Sequence, residues 1–432
     1  MPVIFEYGQW AQVADTKDLK RMLQIIWNDR PFNDLIGENP NPFYQPFLQF
    51  DGELVRARNF SGFIQRDNEL IEIYPKVFRE QQCQDKRLML RHVFYWLSYC
   101  RKWKFPFAHA GLDKMDIDSF PELIINLIAN QVYETIISLP FAQYQPVEEA
   151  LATPRGNINF SRYINQSLSR SHYHKIECDY EPFVFDNKVN RTIKYCCRLL
   201  LSKTMLPENV RILQDVINYL DEVTDTVVTI QELESMVFNH FYDDYSDVID
   251  SCKLILGQHS YSGSSYDLSQ WCLLLPMEYI FEDFLAGFME THFRSKWKVY
   301  YQKSDMYLSD HPQVFNMQHD IFLEGKNGKK LLIDAKYKIR PNDFKSDSKK
   351  GVSQSDLYQM VSYAFRRGCN QVIMIYPNIG EEVHEPDVFE IFSGFENKDH
   401  ISIKAIELPV WSVSNFQDLE AKLKNAIGRT LS

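Results

Sequence analysis

The stretch that decides the fold of this chain is Phe315–Lys338, with the sequence FNMQHDIFLEGKNGKKLLIDAKYK. Two runs with the composition of β-strands flank Gly325-Lys-Asn-Gly328, which is typical of a hairpin turn. On the second strand Asp334 and Lys336 are two positions apart, so their side chains lie on one face. The first strand carries Asp320, fourteen residues before Asp334. The stretch therefore predicts a hairpin that carries two acids and a lysine.

The length of the hairpin loop decides whether the two acids meet. A two-residue loop at Asn327-Gly328 would pair Asp320 with Ala335 and direct the carboxylates to opposite faces. A three-residue loop, 326–328, places Asp320 opposite Asp334, and Gly328 suits the left-handed position that such loops need. We therefore predict the three-residue loop.

Carboxylates that lie directly opposite each other repel, and a divalent cation between them would reverse the sign of that interaction. Hard oxygen ligands favour Mg²⁺ or Mn²⁺, so we expect the side chains of Asp320 and Asp334 and the backbone carbonyl of Ala335 to bind such a metal. Lys336 could orient or deprotonate a water and stabilise charge on a phosphate. The pattern indicates metal-assisted phosphodiester hydrolysis. The alternative is a surface hairpin with solvated charges.

Two neighbouring segments carry supporting candidates. Glu282 lies on a helix predicted from about Pro276 to Phe293 and could direct an acid towards the metal; the alternative is an exposed acid in the first helical turn. Gln359 and Tyr363 are four positions apart on a later helix, hence on one face. They could hold the scissile phosphate or the lysine, or form an ordinary helix face.

The rest of the chain predicts an α+β multidomain protein. Residues 1–84 form a β-rich N-terminal domain, residues 85–261 a mainly helical middle region, and residues 262–432 a C-terminal α/β domain. The middle region contains a basic segment, 154–198. Within it Arg155, Arg191 and Lys194 could contact DNA or a partner, and the alternative is an intramolecular network of ion pairs.

Composition excludes several classes of protein. The net charge is −11, which rules out a histone-like protein and argues against tight autonomous DNA binding. The eight cysteines include no CxxC pair, so we expect reduced thiols in a cytoplasmic protein. The longest apolar stretch is interrupted by polar residues, which predicts no membrane span. No GxxxxGK[ST] motif occurs, so the chain should not bind a nucleotide itself.

The order of an acid-bearing helix, a D-x(13)-DAK hairpin and a helix with Q-x(3)-Y resembles a PD-(D/E)xK nuclease domain of the RecB-like branch, a restriction-endonuclease-like fold. Five segments resemble the McrC family. They are GFIQRDNELIEIYPKV (Gly62–Val77), PRGNINF (Pro154–Phe160), DNKVNRTIK (Asp186–Lys194), IFEDFLAGF (Ile280–Phe288) and DLYQMVSYA (Asp356–Ala364).

This resemblance implies the endonuclease subunit of a McrBC-type, modification-dependent restriction system that defends against phage. Its partner would be a McrB-like AAA+ GTPase hexamer, on which the N-terminal part docks and whose hydrolysis it stimulates. Its substrate would be DNA containing modified cytosine. The implied catalytic set is Asp320, Asp334 and Lys336, with Glu282, Gln359 and Tyr363 in support. The alternatives are a non-catalytic adaptor of an AAA+ ring and a stand-alone repair nuclease of the RecB-like type.

Overall fold

The chain folds into two compact units that contain both helices and several β-sheets. The computed structural model describes residues 3–28, 44–66, 69–80, 85–101, 116–259, 270–341, 346–378, 384–392, 400–412 and 415–431. Unit 1 comprises Met1–Pro121 and Tyr261–Ser432, and unit 2 comprises Glu122–Ser260.

In the N-terminal part of unit 1, the described residues form six strands and three helices. The strands are β1 (Val3–Phe5), β2 (Ala11–Gln12), β3 (Leu48–Asp51), β4 (Leu54–Ala57), β5 (Phe60–Arg66) and β6 (Glu69–Tyr74). The helices are α1 (Thr16–Asn28), α2 (Lys76–Glu80) and α3 (Lys86–Tyr99). The helix α1 lies within the segment predicted as β-rich, and the sequence did not predict it. Its apolar side chains, such as Leu19 and Leu23, are fully buried in the same core as β3 and β5.

β5 and β6 pair antiparallel, with Gly62 opposite Ile73. A later strand, β12 (Gln270–Pro276), pairs with the other edge of β5, which gives a sheet of order β1-β6-β5-β12. Gly62 adopts a φ of +136°, and a Cβ there would lie 1.9 Å from the carbonyl oxygen of Leu273. This pairing explains why the N-terminal strands share one unit with the C-terminal part, where the sequence predicted separate domains.

Unit 2 combines helices with two small sheets. Its elements are α4 (Phe120–Ser138, beginning two residues before the unit), β7 (Gln143–Tyr144), β8 (Val147–Leu151), β9 (Asn157–Ile158), α5 (Phe160–Arg162), β10 (Ile176–Tyr180), β11 (Phe183–Val184), α6 (Lys188–Leu201), α7 (Pro207–Tyr219), α8 (Ile230–Glu234) and α9 (Asp243–His259). The sheets have the orders β8-β10-β9 and β11-β7. The predicted basic segment, 154–198, therefore contains three short strands before α6. The predicted boundary near Ser262 lies outside the described residues.

The C-terminal part of unit 1 is built on a six-stranded sheet of order β13-β14-β15-β16-β18-β17. Its elements are α10 (Met277–Phe293), β13 (Trp297–Ser309), β14 (Val314–Gly325), β15 (Lys330–Ala335), α11 (Gln354–Arg367), β16 (Gln371–Asn378), β17 (Asp387–Phe392), β18 (His400–Pro409) and α12 (Phe416–Leu431). The central strands β15, β16 and β18 run parallel. A parallel pair needs a crossover connection, and α11 supplies it between β15 and β16.

Local sequence sets the ends of α11, which packs on one face of this sheet. The side chain of Ser353 accepts a hydrogen bond from the backbone N–H of Asp356, and Gly368 ends the helix in the left-handed conformation, with φ +61°. Met360 and Ala364 pack against Phe322 and Leu332 of the sheet. Ser353 and Gly368 therefore set the two ends of α11.

Two further observations concern the whole described chain. No helix in the described ranges has the length and apolar character needed to cross a bilayer. Every cysteine with described coordinates is a buried free thiol.

Candidate active site

The hairpin of β14 and β15 has the predicted register. Ile321 pairs with Ile333, and Glu324 pairs with Lys330. The backbone N–H of Gly325 donates to the carbonyl of Lys329 at 2.8 Å, which leaves a three-residue loop in which Gly328 has φ +80°. Continued by one residue pair, this register places Asp320 opposite Asp334. The predicted three-residue loop is confirmed.

Both acids project from the same face of the sheet. Side chains alternate along a strand, so Asp320 and Asp334 lie on the face that carries Phe322 and Leu332 and that α11 covers. The backbone N–H of Ala335 donates to Oδ2 of Asp320 at 2.9 Å. This bond fixes the Asp320 carboxylate against the end of β15, next to Asp334.

Lys336 lies beside the two acids. Its Nζ donates to Oδ1 of Asp334 at 3.0 Å and lies equally close to Oδ2, but the hydrogen-bond geometry is good only at Oδ1. Oδ2 of Asp334 is therefore a buried oxygen that accepts no hydrogen bond from the described residues. The structure brings together the three residues that the sequence predicted as the catalytic set.

Burial and mutual repulsion perturb the protonation of this cluster. Burial and the charge of Asp334 raise the pKa of Asp320 to about 7. Burial also raises the pKa of Asp334, although the ion pair with Lys336 opposes the change. Burial alone would lower the pKa of Lys336, but the two carboxylates outweigh it and raise that pKa. Such perturbed groups in one cluster are typical of functional sites.

A third acid from α10 joins the pair. Burial, followed by the charges of Asp320 and Asp334, raises the pKa of Glu282 to about 9, while a hydrogen bond from the Gln302 side chain opposes this change. Glu282 is only partly exposed. Its electrostatic interaction with both hairpin acids supports the predicted projection towards the site and disfavours the alternative of a solvated acid.

The donor set fits a hard divalent cation, although it is not a complete cage. In the described part of the chain, no three His, Cys, Asp or Glu side chains are arranged closely enough to hold a metal ion. The carboxylates of Asp320 and Asp334 are nevertheless suitable ligands for Mg²⁺, which usually keeps several waters. The carbonyl of Ala335 points to the same edge of β15 as its N–H, towards Asp320, because both groups of a strand residue share one edge.

Gln359 and Tyr363 lie on one face of α11, as predicted, and bond to each other. Nε2 of Gln359 donates to the hydroxyl of Tyr363 at 3.1 Å, and the Tyr363 ring packs 4.7 Å from the ring of His319. In the described structure, no hydrogen bond joins either residue to Lys336, whose ammonium is held by Asp334 instead. Their contact with a phosphate stays a prediction.

The sequence analysis missed two contributors to this site. Asp356 is buried in the first turn of α11, where it pairs with Lys338 at 2.9 Å, and its charge raises the pKa of Asp334. Asp356 lies three residues before Gln359, hence on the same face of the helix, and this spacing could have identified it from the sequence. Gln302 has a left-handed backbone with φ +44°. Its neighbours Tyr301 and Lys303 pair with Ile321 and His319, so Gln302 lies opposite Asp320. No sequence pattern marks it.

The predicted contact residues of the basic segment have mainly intramolecular partners. Arg191 pairs with Asp186 at 2.6 Å. Lys194 is buried, and its Nζ donates to the carbonyl of Val223 at 2.6 Å. These contacts favour the alternative of an internal network for both residues. Arg155 is exposed, with its guanidinium 4.7 Å from the ring of Tyr180, and its contact with DNA or a partner stays a prediction.

Comparison with solved structures relates this fold to two assemblies from Thermococcus gammatolerans. A chain of the refined half-complex from a tetradecameric assembly of McrB AAA+ hexamers with bound McrC aligns with a TM-score of 0.76 and 15% identity, covering 99% of each chain. A chain of the McrBC complex determined by cryo-EM aligns with a TM-score of 0.53 and 16% identity, covering 66% of this chain and 85% of that one. At such identities the likeness shows the fold alone.

Sequence comparison supplies the family. No curated protein matches this chain. Residues 55–377, three quarters of the chain, match the family described as McrBC 5-methylcytosine restriction system component. The matched range contains the hairpin acids, Lys336 and the helix α11, and it confirms the resemblance inferred from the sequence. The chain therefore belongs to the McrBC family of restriction-system components.

Proposed function

We propose that this chain is the metal-dependent endonuclease subunit of a McrBC-type restriction system, with a PD-(D/E)xK nuclease domain in the C-terminal part of unit 1. The observation that carries the proposal is the convergence of Asp320, Asp334 and Lys336 at the end of β15, where the two carboxylates lie close enough to repel each other. Family membership supports the restriction context.

Each residue of the site would have its own role in phosphodiester hydrolysis. A bound Mg²⁺ or Mn²⁺ would supply a Lewis acid for the scissile phosphate. Asp320 and Asp334 would hold it, with the Ala335 carbonyl in reach, and Glu282 would add a third carboxylate. Lys336, fixed by Asp334, would place its positive charge where the phosphate gains negative charge and would orient the attacking water. Gln359 and Tyr363 would contact the DNA from α11.

The proposed partner is a McrB-like AAA+ GTPase hexamer. The solved structures with the same fold contain McrB hexamers with bound McrC or a McrBC complex, which supports this assignment. The net charge of −11 favours cleavage inside such a complex over autonomous DNA binding. The DNA substrate would contain modified cytosine, in keeping with the family description.

The test is cleavage by the reconstituted complex with Mg²⁺, GTP and methylated DNA. Asp334→Ala should abolish cleavage and leave assembly and GTP turnover intact, because it removes a metal ligand without touching the N-terminal part. Asp310→Ala is the matched control, since Asp310 lies in the exposed turn between β13 and β14 and pairs only with Arg366 among the described residues. Persistent cleavage by Asp334→Ala would refute the catalytic assignment.

The same experiment separates the competing functions. A non-catalytic adaptor would stimulate its partner normally, with no cleavage by the unsubstituted complex under any metal. A stand-alone repair nuclease would cleave without the partner or nucleotide. Cleavage that requires Mg²⁺, the partner and GTP together is the outcome expected here.

A further inference from the structure

The backbone at Lys336 leaves the sheet within two residues. Its N–H makes the last bond to β16, donating to the carbonyl of Ile375 at 2.8 Å. The N–H of Lys338 then donates back to the carbonyl of Lys336 at 2.6 Å, which closes a three-residue turn centred on Tyr337. The position of Lys336 therefore depends on what fixes Tyr337.

Tyr337 is almost fully buried and is held at both ends. Its hydroxyl donates to Oε2 of Glu6 at 2.8 Å. Its carbonyl accepts a hydrogen bond from Nζ of Lys76 at 2.6 Å, and the same ammonium lies 4.1 Å from the centre of the Tyr337 ring. The ring of Phe281, from α10, packs 5.7 Å away.

Glu6 and Lys76 come from the opposite end of the chain, but from the same unit. Glu6 follows β1, and its N–H bonds to the carbonyl of Tyr74 at the end of β6. The N–H of Lys76, which begins α2, donates to Oε2 of Glu6 at 3.0 Å. The parallel pairing of β1 with β6 thus holds Glu6 and Lys76 next to Tyr337.

Burying charged groups costs desolvation free energy that their mutual attraction often does not recover. Glu6 is completely buried, its Oε1 accepts no hydrogen bond from the described residues, and burial raises its pKa to about 7 despite Lys76. Apolar side chains of similar volume often replace buried ion pairs without loss of stability. Directional bonds to a hydroxyl and to a carbonyl specify one position of the turn, which apolar packing would not.

We propose that Glu6 and Lys76, from the N-terminal part of the chain, are positioning residues for Lys336 and act through Tyr337. The part of the chain expected to dock on the partner would then also complete the catalytic site. This inference rests on the proposed nuclease function. It predicts that the N-terminal strands are part of the catalytic unit and not a separable docking module.

The test compares Tyr337→Phe with the wild type in the reconstituted complex. The substitution removes one hydroxyl and keeps the ring between Lys76 and Phe281. Tyr300→Phe is the matched control, because the Tyr300 hydroxyl also donates to a carboxylate, Oε2 of Glu324 at 2.8 Å, on the same sheet but near the hairpin loop. Two readouts are used: hydrogen exchange at the amides of Lys336 and Lys338, and the single-turnover cleavage rate at saturating DNA.

Tyr337→Phe should speed exchange at both amides and lower the single-turnover rate about tenfold or more, since small misplacements of a reacting group have effects of this size. The DNA concentration at half-saturation and the stimulated GTP turnover should not change. Tyr300→Phe should alter neither exchange at these amides nor the rate. Unchanged exchange in Tyr337→Phe, or an equal loss of rate in both variants, would overturn the proposal.

A second variant guards against a simple loss of folding. Glu6→Gln keeps the size and one acceptor oxygen but removes the charge, and its effect combined with Tyr337→Phe should be smaller than the product of the single effects, because both act through one contact. Multiplicative effects would count against the coupling. If the wild-type complex cleaves no DNA, the nuclease function fails, while the exchange comparison still decides whether Glu6 and Tyr337 hold the turn.

Discussion

Neutralising one acid of the hairpin should stabilise the protein in the absence of metal. We consider Asp320→Asn, measured near pH 8 with a chelator. The amide keeps the oxygen that accepts the hydrogen bond of the Ala335 N–H and removes a charge that burial and Asp334 disfavour. An acid whose charged form is stabilised by its surroundings would show the opposite sign, a loss of stability on neutralisation.

The size of the gain follows from the pKa of Asp320. Its rise from 3.8 to about 7 corresponds to about 4 kcal/mol as an upper limit. Because the other two acids share the repulsion and relax when it is removed, we expect about 1–2 kcal/mol. For a unit of this size that is a rise in melting temperature of about 2–3 °C.

The sign of the pH dependence is fixed by linkage. The raised pKa means that the native state binds a proton that the unfolded chain has released, so stability is lost as pH rises from about 4 to about 7. The advantage of Asp320→Asn should be absent near pH 4, grow through this window and remain constant above it. Thermal unfolding at several pH values measures it.

Two controls decide whether the reasoning holds. Asp305→Asn should destabilise instead, because the ion pair with Arg367 lowers the pKa of Asp305 to about 2. Adding about 10 mM Mg²⁺ should stabilise the wild type by about 1 kcal/mol if the dissociation constant is on the order of 1 mM, and the variant much less. Asp320→Asn that is less stable than the wild type near pH 8 with a chelator would refute the argument.

The remaining predictions concern packing and substrate contact. Gly287→Ala should destabilise unit 1 by about 2–3 kcal/mol, because the new Cβ would lie 1.9 Å from the carbonyl oxygen of Tyr99, and denaturant unfolding would show it. Asn187→Ala should cost unit 2 about 1–2 kcal/mol, since it removes the cap of α6 and a bond to the Phe141 carbonyl; an unchanged unfolding midpoint would contradict this. Gln359→Ala should weaken DNA binding in the assembled complex several-fold without changing the melting temperature, because Gln359 is exposed; unchanged half-saturation by DNA would remove it from the proposed site.

The hairpin shows which structural features the local sequence can predict. The position of Gly328 and the alternation of side chains were enough to predict the register that brings Asp320 opposite Asp334. These features depend on turn geometry and on strand periodicity, and both act over a few residues.

Other features depended on contacts between distant parts of the chain. The helix α1 was missed because its apolar face is explained only by the core that it shares with β3 and β5. The proximity of Glu282 to the hairpin acids requires the packing of α10 in this unit. The carbonyl that Lys194 binds belongs to Val223, 29 residues further along the chain. Composition alone therefore did not show whether Lys194 has an internal partner.

The sequence by itself determined which acids and which lysine share one face, and the family to which the chain belongs. Only the tertiary structure decided what surrounds them. The pairing of β5 with β12 and the bonds from Glu6 and Lys76 to Tyr337 join the two ends of the chain in one unit. Spacing along a strand fixes which face a side chain lies on, and this holds over a few residues. The burial of a side chain, its repulsion by other charges and its hydrogen bonds to distant residues exist only once the chain is folded.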